Sequence, residues 1–173
     1  PMREYEVHSI ATVDGISFVS IIDDTGSESR KPIWLFDILD KSMPEDWICN
    51  LFPEQGAVVI GPSFVAKDAE SYSRLVERDP DITTQFWDRV RARRRKVVRT
   101  ILLTDWDPIG TRAEPEGQDL YDPYIPDLLH LIEHNPSETD VFNYLWEVVN
   151  DKLGVIGDRA KTSLTAGRIL AAV

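Results

Sequence analysis

The hydrophobic period of this chain changes at Pro62, and that change constrains the fold more than any single motif. Ahead of it, apolar residues come in short runs at 4–12, 16–22, 33–39, 47–52 and 57–60. The first two are rich in β-branched and aromatic types, and the later ones are bounded by Pro or Gly, which is the pattern of short strands. Asp14-Gly15 between the first two runs predicts a hairpin turn. The polar stretch Asp23 to Ser29 predicts a turn or exposed loop. The run 33–39 fits either a strand or a short helix, because periodicity does not separate the two at that length.

After Pro62 the spacing becomes helical. Asp68 is placed to cap a short helix through Ser71, Leu75 and Val76, ending near Asp79-Pro80 because proline cannot continue the hydrogen-bond ladder. Asp81 is then expected to cap a longer helix to about Thr104, with Phe86, Val90, Val97, Val98 and Ile101 near one face. A loop rich in Pro and Gly, 108–119, separates this from a helix beginning near Asp122 and reaching about His134. Ser137 caps the next helix with Asp140 three residues on, and Asp158 starts the last. The expected class is α+β, with a small mixed or antiparallel β unit followed by a helical bundle. The expected segments are a β-rich unit over 2–80, a connecting helix over 81–104 and a helical unit over 105–173. Sequence leaves open whether these pack as one domain.

An apolar fraction of 42% and five Trp support a folded chain. Pro1 ahead of Met2 reads as the remnant of a cleaved tag. Arg3, Glu4, Glu6 and Asp14 interrupt the first twenty residues, so a signal peptide is not expected. No run approaches the ~18 apolar residues of a membrane span. A cytoplasmic location is the default expectation. Cys49 is the single cysteine, so no intramolecular disulfide or multi-cysteine zinc site can form, and its neighbours Ile48 and Leu51 predict a buried structural thiol. Sequence leaves open whether Trp34 and Trp47 are core or interface, with core the default for aromatics in apolar runs.

The net charge of −11 argues against general nucleic-acid binding, which needs Lys and Arg against phosphate. Net charge by itself fits acidity that simply keeps a chain in solution, and it also fits attraction to a basic protein. The charge is unevenly spread. Arg89, Arg91, Arg93, Arg94, Arg95, Lys96 and Arg99 form a run with no acid among them, and without interleaved aromatics this reads as a solvated helix face. Between Asp105 and Asp151 the bias reverses, with twelve acids against Arg112 alone. Some of these acids are expected to face the basic run internally. The rest would form a negative surface.

Motifs for catalysis are sparse. His130-Leu131-Ile132-Glu133-His134 matches the H-x-x-E-H pattern of one zinc-peptidase class, in which two histidines one helical turn apart hold a metal and the glutamate activates water. A third protein ligand is not evident, although Glu138 or Glu147 lies downstream. There is no Gly-x-Ser-x-Gly elbow and no phosphate loop, and no cofactor is expected. Asp107 ahead of Pro108 predicts a turn.

Two motifs stand out, Asp105-Trp106-Asp107-Pro108-Ile109-Gly110 and Tyr121-Asp122-Pro123-Tyr124-Ile125-Pro126 with Leu128 and Leu129 after it. Together with Tyr144-Leu145-Trp146-Glu147, they resemble a helical bacterial family, the domain of unknown function 1871, over about residues 98–157. The resemblance implies no catalytic residues and casts the aromatic and Asp-Pro positions as the hinge of a bundle. The arrangement of the whole chain is similar to that of bacterial immunity proteins found beside polymorphic toxins, whose acidic surfaces bind a toxin.

These observations together lead to the expectation of a non-catalytic immunity or inhibitor protein that occludes a basic toxin domain, such as a nuclease. The expected partner-binding residues are Asp105, Trp106, Asp107, Glu114, Glu116, Asp119, Asp122 and Tyr124. The alternatives are a metal-dependent hydrolase built on His130, Glu133 and His134, and an adaptor subunit of a bacterial complex.

Overall fold

Asp14 and Gly15 both take positive φ, 51° and 78°. Two such residues in succession form the tight turn whose twist matches a right-handed hairpin, so β1 (Val7–Val13) folds back on β2 (Ile16–Ile22). The computed structural model describes residues 3–173, so the expectation for Pro1 and Met2 lies outside the described residues. A second turn, in which the Gly26 N–H donates to the Asp23 carbonyl, leads into β3 (Glu28–Pro32). The strand thus begins inside the stretch expected to be a loop. Residues 33–39 resolve into a single 3-10 turn, Ile33–Leu35, followed by irregular chain. β4 (Trp47–Phe52) and β5 (Ala57–Pro62) complete one antiparallel sheet in the order β3-β2-β1-β5-β4.

Two expectations fail in this sheet. Cys49 is exposed, because β4 is an edge strand that among the described residues pairs with β5 alone. Trp34 is 67% exposed, since the chain that carries it runs as a connection between strands rather than as a strand of the sheet. Trp47 is half-buried.

Helices follow from Ser63 onward. α1 (Ser63–Ala66) is a single turn, and α2 (Ala69–Val76) starts where the Asp68 carboxylate accepts the Ser71 N–H at 2.7 Å. The long helix α3 (Pro80–Ile101) is capped by Asp79 rather than Asp81. Pro80 occupies the first helical position, where a missing N–H costs nothing, and the Asp79 carboxylate accepts the Asp81 N–H at 3.0 Å. The helix continues into a π turn, Leu102–Trp106. α4 (Ile125–Glu133), α5 (Glu138–Glu147) and α6 (Arg159–Ala172) complete the chain. Ser137 and Asp140 form the expected capping box on α5, and Asp158 caps α6 through the Lys161 N–H.

The fold is α+β, and the chain divides into two compact units, Pro1–Trp87 and Asp88–Val173. The division falls inside α3. The first unit buries Ala11, Val19, Ile21, Val59, Val65, Leu75, Ile82 and Phe86. The second has a core of Val98, Leu102, Trp106, Tyr121, Ile125, Leu128, Val141, Leu145, Val148, Val149, Ala166 and Ile169. Among the described residues no helix is long and apolar enough to cross a membrane.

Candidate functional site

The Asp-Trp-Asp motif sends its three side chains to three different jobs. Trp106 is 2% exposed, its ring centroid lies 5.5 Å from that of Tyr121, and its indole N–H donates to Thr162 Oγ1 at 3.2 Å. It is therefore a core residue and offers no surface to a partner. Asp105 pairs with Arg168 at 2.9 Å, which ties the π turn to α6. Asp107 follows at φ 28°, and its carboxylate turns inward over the loop it begins.

That carboxylate organises residues 107–121. It accepts the Gly110 N–H at 3.1 Å, the Thr111 N–H at 2.9 Å, the Arg112 N–H at 3.0 Å and the Tyr121 hydroxyl at 2.7 Å. Gly110, at φ 81°, lets the backbone turn so that successive N–H groups point at one anion. Thr111 and Gly117 meet so closely that a Cβ at Gly117 would stand 2.5 Å from Thr111 Cβ. The loop is thus closed across its middle and fastened to the core through Tyr121, which is fully buried.

Electrostatics agree with the geometry. Burial would raise the Asp107 carboxyl, but the hydrogen bonds from Tyr121 and from the Arg112, Thr111 and Gly110 N–H groups outweigh it and hold the group below the usual carboxylate range. Burial and the bond to Asp107 push the Tyr121 hydroxyl up to about 12.

Glu114, Glu116 and Asp119 are exposed on this loop, with Arg112 the one base among residues 107–121. No ion pair engages any of the three among the described residues. Asp122, by contrast, lies 3.7 Å from Arg95 Nη2 and 2.8 Å from Arg99 Nε. The Arg99 contact is electrostatic rather than an aligned hydrogen bond. Part of the basic run on α3 is thereby neutralised by one member of the acidic stretch. Tyr124 is half-buried, and its carbonyl accepts the Tyr144 hydroxyl at 2.7 Å. Of the eight residues expected to bind a partner, Glu114, Glu116 and Asp119 are exposed on this loop, while Trp106 is buried and Asp107 is half-buried in hydrogen bonds that hold the loop.

His130 and His134 do lie on one side of α4, with ring centroids 4.7 Å apart. His134 Nδ1, however, donates to the His130 carbonyl at 2.8 Å. Among the described residues no group of three or more His, Cys, Asp or Glu side chains is placed to hold a metal ion.

The first unit contributes features that the sequence did not single out. A cavity of about 340 Å³ opens between the sheet and α2, lined by Phe18, Val59, Tyr72 and Val76, with Arg30 and Glu77 among its polar residues. Trp34, Leu35, Leu39, Met43 and Leu51 are all more than half exposed. The signal available in sequence was the acid-punctuated composition of 33–54, where apolar residues alternate with Asp37, Asp40, Glu45, Asp46 and Glu54. Comparison with protein-family models, curated proteins and solved structures finds no match to this chain.

Proposed function

We propose that this chain is a protein-binding inhibitor of the immunity type, which covers a basic partner domain with the acidic loop 107–121. The observation that carries the reading is the set of hydrogen bonds by which Asp107 and Tyr121 close that loop. Asp107, Thr111, Gly117 and Tyr121 hold it, so the backbone that carries its three exposed carboxylates has little conformational freedom left to lose. A pre-organised surface binds more tightly than a floppy one of equal charge, because ordering costs are met before encounter. The charge itself speeds association with a basic surface and weakens with salt. The resemblance to the helical family and the absence of catalytic motifs in the sequence point the same way. Blocking a basic site, such as one that holds nucleic-acid phosphate, needs steric cover and opposite charge but no chemistry by the inhibitor.

The test is affinity capture from the source cell at low and high salt, using the wild-type chain and a triple variant, Glu114→Gln with Glu116→Gln and Asp119→Asn. The expected result is a basic protein retained at low salt by the wild type and lost from the variant. Co-expression with that protein should relieve its toxicity only for the wild type. Recovery of no basic partner, or equal recovery by the triple variant, would refute the proposal.

A further inference from the structure

The sheet of the first unit has two edge strands built in opposite ways. β3 reads Glu28-Ser29-Arg30-Lys31-Pro32, with three charges and a proline in five residues. Those are the devices by which natural sheets keep an edge from recruiting another strand. β4 reads Trp47-Ile48-Cys49-Asn50-Leu51-Phe52, without a charge or a proline, and among the described residues it pairs with β5 alone. Leu51 is 67% exposed, Ile48 36%, and Cys49 is exposed. On the Leu51 face the sheet continues through Val58 and Ile60 of β5, both half-buried. An apolar shelf therefore adjoins an edge with an unprotected ladder.

Charge decides what fits there. The chain on either side of β4 carries exposed Asp37, Asp40, Glu45, Asp46 and Glu54, against Lys41 alone. Antiparallel pairing of β4 with β4 of a second copy would set Glu45 and Asp46 of each chain near Glu54 of the other, between molecules that each carry −11. The edge is acidic at both ends and neutral in the middle. Its complement is basic at both ends and apolar in the middle.

We propose that β4 receives a sixth strand, an extended segment of a different protein that is apolar at alternate positions and carries lysine or arginine at its ends. Main-chain hydrogen bonds would supply affinity, and the apolar shelf with its acidic flanks would supply selectivity. This surface lies in the first unit and does not depend on the loop 107–121.

The probe is a fluorescein-labelled decapeptide of alternating valine and threonine with two lysines at each end, added to the full chain at low salt. The expected result is saturable binding below about 1 mM, with slowed amide exchange in β4. Leu51→Lys should weaken binding at least about tenfold, as should glutamates in place of the peptide lysines. Leu51 is solvent-exposed, so the variant should fold, which circular dichroism checks. Leu164→Lys, at a position 72% exposed on α6, should leave binding unchanged. Several results would overturn the proposal. One is no binding up to about 1 mM; another is undiminished binding of a peptide N-methylated at every central amide. Loss of binding in the Glu114, Glu116 and Asp119 triple variant instead would assign the peptide to the acidic loop. Dimerisation of the chain alone, abolished by Leu51→Lys, would assign the edge to a second copy.

Discussion

Replacing Asp107 with alanine removes the acceptor for three backbone N–H groups and for the Thr111 and Tyr121 hydroxyls at once. The N–H groups of Gly110 and Arg112 belong to exposed residues and can turn to water when the carboxylate is gone. The Tyr121 hydroxyl cannot, since that residue is fully buried, and an unsatisfied buried donor costs about 1–3 kcal/mol. The loop also loses its pin, and alanine tolerates the φ of 28° less well than aspartate does. We expect a total loss of about 3 kcal/mol in urea denaturation. Asp107→Asn keeps one acceptor oxygen and the tolerance for positive φ, and it should lose about half as much. The sign of the pH dependence follows from the lowered carboxyl. The charge contribution is fully present above the unfolded value near 4 and is lost as pH falls through the lower folded value, so wild type and Asp107→Asn should converge in strong acid. Amide exchange at Gly110, Thr111 and Arg112 gives the local readout. A loss under about 1 kcal/mol with those amides still protected would refute the account of Asp107 as the organiser of the loop.

Three further outcomes follow from the same geometry. In an absorbance titration, Tyr121 and Tyr144 should ionise only near 12, and stability should fall between pH 10 and 12, because the unfolded chain gives up these protons first; full titration of all five tyrosines near 10 in the folded chain would contradict this. Gly61→Ala should destabilise the sheet by about 1–3 kcal/mol, as the added methyl would stand 2.9 Å from Ser9 Cβ on the neighbouring strand, and urea midpoints measure it. Trp47→Phe should be neutral or slightly stabilising by the same measurement, since the indole N–H it removes is buried and has no acceptor among the described residues.

The features legible in sequence were those fixed by neighbours along the chain. The Asp14-Gly15 hairpin, the Asp68 and Asp158 caps and the Ser137–Asp140 box each need only a few adjacent residues. Asp79 rather than Asp81 caps α3 because a proline that ends one helix also serves at the first position of the next. Cys49 and Trp34 are exposed for a reason of another kind. Their apolar neighbours mark a strand or an ordered segment, but burial depends on strand order, and β3-β2-β1-β5-β4 arises from pairing between distant segments. No local pattern says that 47–52 ends at an edge.

The same distinction separates the charge of the acidic stretch from its use. Twelve carboxylates can be counted in sequence, but which of them are consumed inside the fold depends on Arg168 reaching Asp105, Arg95 and Arg99 reaching Asp122, and Tyr121 reaching Asp107. These pairings leave Glu114, Glu116 and Asp119 exposed on a loop whose support is buried. On the binding reading, Asp107 and Tyr121 should then matter to a partner they never touch. Freeing the loop would leave its net charge almost unchanged while returning the conformational freedom that binding must remove. Association rate, set by long-range charge, should stay near wild type in Asp107→Asn and Tyr121→Phe, while dissociation quickens. A variant of Glu114, Glu116 and Asp119 should do the reverse and slow association most at low salt. That contrast separates residues that carry the charge from residues that hold it in place.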